Sequence, residues 1–292
     1  TLPIPKAGFD VEEGFGEVRV PLVQDAPLAK DITVNGGYRY SSYSSAGAVS
    51  SYKYGIDWQI IDDVRFRGSE QHATRAPSIL ESFTPANVAL FGGQDICSKA
   101  GQAGTDGTVK ANCIAQGVSN AGSGLLDCPA AQCNAQFGGN TSLVPETSDT
   151  WSFGAVLTPT FLDGFAATID YFDIKVNKFI GTIAQNDVME GCYGDAADAT
   201  SQAFFCPLMH RNNVHQIYGG GFIDSRNQNL LFLKTRGVDV EANYNTSLDD
   251  LGMSDSGSLS INMIGTWVDT LSTTSTPLST PIDCAGIYGP VC

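Results

Sequence analysis

The sequence predicts an all-β fold, an antiparallel sheet of the transmembrane β-barrel kind, and three observations predict it. Apolar and polar residues alternate with a period of two over many segments. The segments are joined by connections of very unequal length. The charged share is only 16%, against roughly 25% in soluble domains, while Gly reaches 32 residues. Successive side chains on a strand point to opposite faces, so each alternating segment carries one apolar and one polar side. Such a division suits a wall with lipid on one side and water on the other.

The elements follow in order. Strands are expected near 13–23, 31–43, 50–62, 63–74, 148–160, 164–177, 234–246 and 257–270. In the second, Ile32, Val34, Tyr38 and Tyr40 alternate with Thr33, Asn35, Gly37 and Arg39. In the third, Tyr52, Tyr54, Ile56, Trp58 and Ile60 alternate with Lys53, Gly55, Asp57 and Gln59. Asp62-Asp63 is a tight polar turn, and Asp163-Gly164 supplies another turn pair. On the fifth strand Trp151, Phe153, Ala155 and Leu157 continue the apolar face. On the sixth, Phe165, Ala167, Ile169 and Tyr171 face outward while Thr168 and Asp170 face inward. On the seventh, Val238, Val240, Ala242 and Tyr244 face outward while Asp239, Glu241 and Asn243 face inward. Tyr and Trp near the strand ends suit interfacial girdles.

The stretches 75–147 and 178–233 are far longer than the remaining links. Long loops count against a strand assignment in a compact soluble domain, but a barrel has short turns at one end and long loops at the other. The turns at 62–63, 162–164 and about 247–256 are therefore expected on the periplasmic side, and the long loops outside the cell.

The eight cysteines sit outside the alternating segments: Cys97, Cys113, Cys128, Cys133, Cys192, Cys206, Cys284 and Cys292. Loop-closing disulfides in an oxidising compartment are the expectation, with connectivity left open by the sequence. A metal site and free thiols are the alternatives; neither a zinc knuckle nor a Cys/His cluster is present in the sequence.

Several function classes find little support. A net charge of −15 argues against nucleic acid and against electrostatic docking to an anionic membrane surface. No apolar run reaches the roughly 18 residues of a spanning helix. His72, His210 and His215 are scattered, and the acidic pairs Asp62/Asp63, Glu12/Glu13 and Asp249/Asp250 diverge on extended chain. Gly92-Gly93 and Gly219-Gly220-Gly221 lack a phosphate-loop pattern, and there is no Gly-x-Ser-x-Gly elbow. No cofactor and no catalytic set is expected, so the chain is not read as an enzyme. The inward polar residues Arg39, Lys53, Asp57, Arg65, Arg67, Asp170, Asp239 and Glu241 are candidates for cross-strand ion pairs that brace a lumen or touch a plug, with ligand steps along a pore as the alternative. The loop aromatics Phe91, Phe137, Phe204, Phe205 and Tyr218 are candidates for gripping a ligand, or for packing loop on loop.

Four motifs add a resemblance. Val64-Arg65-Phe66-Arg67-Gly68-Ser69, with Ala73-Thr74-Arg75-Ala76-Pro77-Ser78 and Glu81-Ser82-Phe83 after it, looks like the barrel of TonB-dependent outer-membrane receptors. So do Val144-Pro145-Glu146-Thr147-Ser148-Asp149-Thr150-Trp151, Asp170-Tyr171-Phe172-Asp173-Ile174-Lys175-Val176 and Thr235-Arg236-Gly237-Val238-Asp239-Val240-Glu241-Ala242. The resemblance covers nearly the whole chain. It implies a bacterial outer-membrane protein with lipid around it. It further implies a plug domain and a TonB-type energy-coupling complex as partners, and a scarce small nutrient (iron chelate, cobalamin or sugar) as ligand. The chain shows no plug and no coupling box near its start, so residues 1–292 are expected to form a single section of such a barrel. Where that family carries an aromatic and a basic residue, this chain has Glu70 and His72, on the face of Val64 and Phe66 and expected near the outer interface. A soluble, secreted, disulfide-stapled β-rich binding or adhesion module is the second expectation; it requires a core between two sheets.

Overall fold

The computed structural model describes residues 7–230, 232–248, 252, 257–274, 276 and 281–289. Eight long strands form an antiparallel meander: β1 (Val11–Ala26), β2 (Ala29–Tyr43), β3 (Gly47–Ile61), β4 (Val64–Arg75), β5 (Glu146–Leu157), β6 (Phe165–Asn177), β7 (Phe232–Ser247) and β8 (Ser258–Thr274). A two-residue ladder at Ile282–Asp283 extends the sheet beyond β8, and the sheet does not close on itself among the described residues. It is an open section of a barrel wall.

The turns sort by end. Residues 27–28 and 62–63, the link 158–164, the end of β7 and the start of β8 all lie at one end. Residues 44–46 and two long excursions, 76–145 and 178–231, lie at the other. Gly164 in the β5–β6 link has φ +78°, and a Cβ there would stand 1.8 Å from the Asn245 carbonyl oxygen, so both backbone sign and space demand glycine. The expected turn at about 247–256 falls largely outside the described residues.

The register fixes the faces. Tyr171 lies between Phe153 and Val238, and Ile169 between Ala155 and Val240, so the apolar sets of β5, β6 and β7 share one side. Tyr244 to Val238 spans six residue steps, roughly 20 Å along the strand, close to the ~25 Å apolar band of a membrane barrel. Toward the excursion end the same side turns polar. Glu70 lies between Tyr54 and Trp151, and His72 between Tyr52 and Asp149, followed in the same rows by Asp173 with Arg236 and Lys175 with Lys234. His72 stacks on Tyr52 with centroids 5.1 Å apart and its Nδ1 lies 2.6 Å from Asp149. Glu70 and His72 thus belong to a charged belt that ends the apolar band.

Every buried apolar side chain among the described residues lies in the two excursions, and the core cluster runs from Ile96 to Leu230. The long strands contribute none: Phe153, Trp267 and Ile264 are 52%, 63% and 74% exposed. A sheet apolar on one face with no partner layer has not been built to fold around a core of its own. The core that the soluble-module reading requires between two sheets is missing from these strands.

The excursions are not structureless. They hold α1 (Ile79–Phe83), α2 (Gly107–Ala115), α3 (Gln185–Tyr193), α4 (Ala199–Phe205) and a small four-stranded sheet drawn from both. In that sheet 222–224 pairs with 132–137, tying the second excursion to the first. The two together form one cap over the end of the wall.

Candidate functional site: a polar wall and a stapled cap

All eight sequence-predicted polar residues fall on the face opposite the apolar band. Lys53 Nζ lies 3.2 Å from Glu17, and Arg39 4.0 Å from Glu13. Arg65 forks onto Asp57 of the neighbouring strand, its Nε 2.6 Å from Oδ1. Arg67 reaches farther, donating at 2.8 and 2.6 Å to both oxygens of Asp170, which is two strands away. The residue between them is Gly154, facing Arg67 on one side and Asp170 on the other. A Cβ at 154 would stand 1.9 Å from Asp170 Oδ1, so glycine opens the lane through which this pair closes. Asp239 lies directly opposite Asp170 and accepts from the Thr266 hydroxyl at 2.7 Å. Glu241 accepts from the Asn243 amide at 3.1 Å. The six other residues are thus joined in ion pairs, while Asp239 and Glu241 keep neutral partners.

The strand ends meet the cap through residues that carried the sequence motifs but were not picked as site residues. Ser78 caps α1 in a reciprocal box with Glu81. Arg75 donates at 2.9 Å to each Glu81 oxygen and at 2.5 Å, through Nε, to Glu146. The second Glu146 oxygen accepts the Ile180 backbone N–H at 2.6 Å. One arginine therefore ties together the end of β4, α1, the start of β5 and the root of the second excursion. Its hydrogen bonds hold the Glu81 carboxyl below the ordinary carboxylate range. The sequence signal was present in Thr74-Arg75-Ala76-Pro77-Ser78, Glu81 and Pro145-Glu146; pairing partners 71 positions apart is what a single sequence does not reveal.

Inside the cap, disulfides join Cys97 to Cys113, Cys128 to Cys133 and Cys192 to Cys206. Cys284 is also disulfide-bonded, and Cys292 lies outside the described residues. The bonds closing 16- and 14-residue separations each restrict the unfolded chain by about 3 kcal/mol in the chain-entropy account. A buried ion pair joins the excursions: Arg211, whose side chain is 8% exposed, forks onto the fully buried Asp95. Burial opposes the Arg211 charge, but the hydrogen-bonded Asp95 carboxylate outweighs it and raises the guanidinium pKa above its ordinary value. Phe91, Phe204 and Tyr218 pack half-buried against the core and Phe205 is buried in it, so these aromatics help hold the cap together.

The remaining candidates are local. His210 stacks on Phe222, and His215 sits beside Ser119. Asp62 pairs with Lys30, Asp63 accepts from Thr160, and Glu13 accepts from Ser41. Asp249 and Asp250 lie outside the described residues. No group of three metal-ligating side chains gathers among the described residues.

An antiparallel wall, apolar on one side and ion-paired on the other, with long excursions at one end, defines a section of an outer-membrane-type β-barrel. The chain belongs to the TonB-dependent receptor-like β-barrel family, which it matches over residues 6–282. Among curated proteins no relative matches. Among solved structures it is similar to a mutant of the ferric enterobactin receptor PfeA of Pseudomonas aeruginosa in complex with enterobactin, at 12% identity and TM-score 0.50, over 88% of this chain and 27% of that one. It is also similar to the siderophore receptor PirA of Pseudomonas aeruginosa, at 15% identity and TM-score 0.48, over 90% of this chain and 37% of that one. The FrpB iron transporter of Neisseria meningitidis matches at 11% identity and TM-score 0.41, over 91% and 27%. The chain therefore spans roughly a quarter to two-fifths of the length of these structures, and at such identities the likeness is one of fold.

Proposed function

We propose that this chain is a wall section, with its cap, of an outer-membrane receptor that captures a scarce nutrient for energy-coupled import. The observation that carries this reading is the division of labour in the fold. The strands keep an apolar band and an ion-paired face but bury no core, while the core and the stapling disulfides are confined to the cap. Lipid is the natural partner of the apolar band, and water or a plug domain that of the opposite face. In this reading Arg39, Lys53, Asp57, Arg65, Arg67 and Asp170 line the lumen and brace the wall through their ion pairs. Asp239 and Glu241, which form no ion pair among the described residues, are left to meet a plug or a passing ligand. The cap end is extracellular and the four short links periplasmic. The disulfides suit that location, since they persist in oxidising compartments.

Import through such a receptor draws on a TonB-type complex acting on the plug. No covalent chemistry by this chain is part of the scheme. The test is uptake in cells lacking the gene. Ferric chelates, cobalamin and oligosaccharides are offered as labelled probes, with and without a protonophore. One class should lose its uptake in the deletion strain and equally in uncoupled wild-type cells. Unchanged uptake of every class would overturn the reading.

A further inference from the structure

At the root of the cap the two excursions leave a cleft of about 320 Å3, and we propose that it binds a neutral, hydroxyl-rich ligand of the sugar class. This rests on the receptor reading above and specifies what the receptor takes. The walls of the cleft are 140–142 from the first excursion and 224–229 from the second, with Leu208 as the apolar contribution. Its volume lies at the lower end of the ~300–1,000 Å3 range of small-molecule sites.

Some lining groups are spent on holding the walls. The Asn140 amide donates to the Asn227 carbonyl at 2.9 Å, and its own oxygen accepts the Ser142 N–H. Asn229 exchanges hydrogen bonds with the Val144 backbone and donates to the Lys178 carbonyl at 2.8 Å. Other lining groups are free. The Ser142 hydroxyl, the Gln228 amide and Arg226 Nη1 make no hydrogen bond among the described residues. They present unused donors and acceptors to the cleft, of the kind that hydroxyl groups can satisfy.

Charge selects against an anion. Arg226 is the cation among the lining residues, and it is already neutralised by Asp224, its Nη2 2.6 Å from Oδ2 and its Nε 2.9 Å from Oδ1. Asp224 also accepts the Arg226 backbone N–H at 3.1 Å, so the pair is pinned as a unit. A carboxylate, a phosphate or an anionic chelate entering here would meet a carboxylate with no spare positive charge. A neutral polyol meets the Ser142 hydroxyl, the Gln228 side-chain amide and the outer Nη1 of an Arg226 whose charge Asp224 already balances.

The test is a glycan array of neutral and of sialylated or uronate oligosaccharides, probed with the receptor as its cell makes it, purified in detergent. Gln228→Ala and Ser142→Ala are run beside the wild type; both side chains lie outside the core, and retained disulfides report the fold. Neutral glycans should be retained, about 5-fold more weakly in each variant and more than 10-fold more weakly in the double variant. Retention of acidic glycans alone, retention indifferent to both variants, or no retention overturns the cleft. Uptake by the deletion strain is measured separately. A silent array beside intact energy-dependent import of another nutrient therefore overturns the cleft and leaves the receptor reading standing.

Discussion

Replacing Arg75 by alanine should uncouple the cap from the wall without unfolding either. Glu146 has a side chain only 9% exposed and keeps the Ile180 N–H as its remaining partner when the guanidinium is removed. A hydrogen bond to a charged group contributes about 1.5–3 kcal/mol. Arg75 itself is 48% exposed, so water replaces part of what it supplied, and the loss is set at about 2 kcal/mol after that discount. Since about 1.4 kcal/mol is a factor of ten, local opening should become about 30-fold more frequent. Hydrogen exchange read by mass spectrometry reports this directly on peptides covering 76–84 and 178–183. Protection there should fall about 30-fold. Peptides across the disulfide-bonded core and across β6 should be unchanged. Arg75→Lys, which keeps the charge but loses the fork, should fall between. Unchanged protection at 178–183 in Arg75→Ala would refute the idea that one side chain ties the four roots together.

Three further outcomes follow from the same geometry. Gly154→Ala should push Asp170 off Arg67, removing a half-exposed pair worth about 1 kcal/mol; adding Arg67→Ala to it should then cost nothing more, and a double-mutant cycle that stays additive contradicts the lane. Arg211→Ala leaves Asp95 charged and fully buried, so the cap should lose about 3–5 kcal/mol, read as a lowered melting transition in the cap with the sheet signal in detergent intact. The Glu81 carboxyl has a folded pKa lowered by Arg75 from its ordinary 4.5, so its stabilisation is complete above that value and is lost as pH falls through the folded value below it. Protection factors at α1, taken relative to the intrinsic exchange rate at each pH, should therefore be flat from pH 7 to pH 5, fall only in stronger acid, and lose this dependence in Glu81→Gln.

Much of this fold was legible because its physics is local. Alternation located all eight long strands, since a face that meets lipid must be apolar at every second residue. The ladders run past the alternating cores: β1 and β2 extend to a turn at 27–28, because backbone pairing continues where side-chain polarity no longer reports it. The polar face was legible residue by residue for the same reason. Its pairing was not: that Arg67 reaches Asp170 through the gap at Gly154 depends on which strands become neighbours across a 70-residue excursion. The excursions read as loops because their helices are short and their apolar residues carry no sustained period. Disulfides and the Arg211–Asp95 pair do there what periodic burial does elsewhere. The amide-rich cleft at 140–142 and 224–229 had no sequence signal, since Asn, Gln and Ser are ordinary loop residues until their partners are known.

The central claim is that the sheet separates lipid from water, and β7 tests it most directly. Spin labels placed singly at 238 through 243 in the receptor, reconstituted in a bilayer, are read by power saturation against oxygen and against a water-soluble nickel chelate. The account predicts a period of two, with positions 238, 240 and 242 relaxed by oxygen and positions 239, 241 and 243 by the chelate. Equal chelate accessibility at all six positions would contradict it and return the chain to the class of soluble β-rich modules.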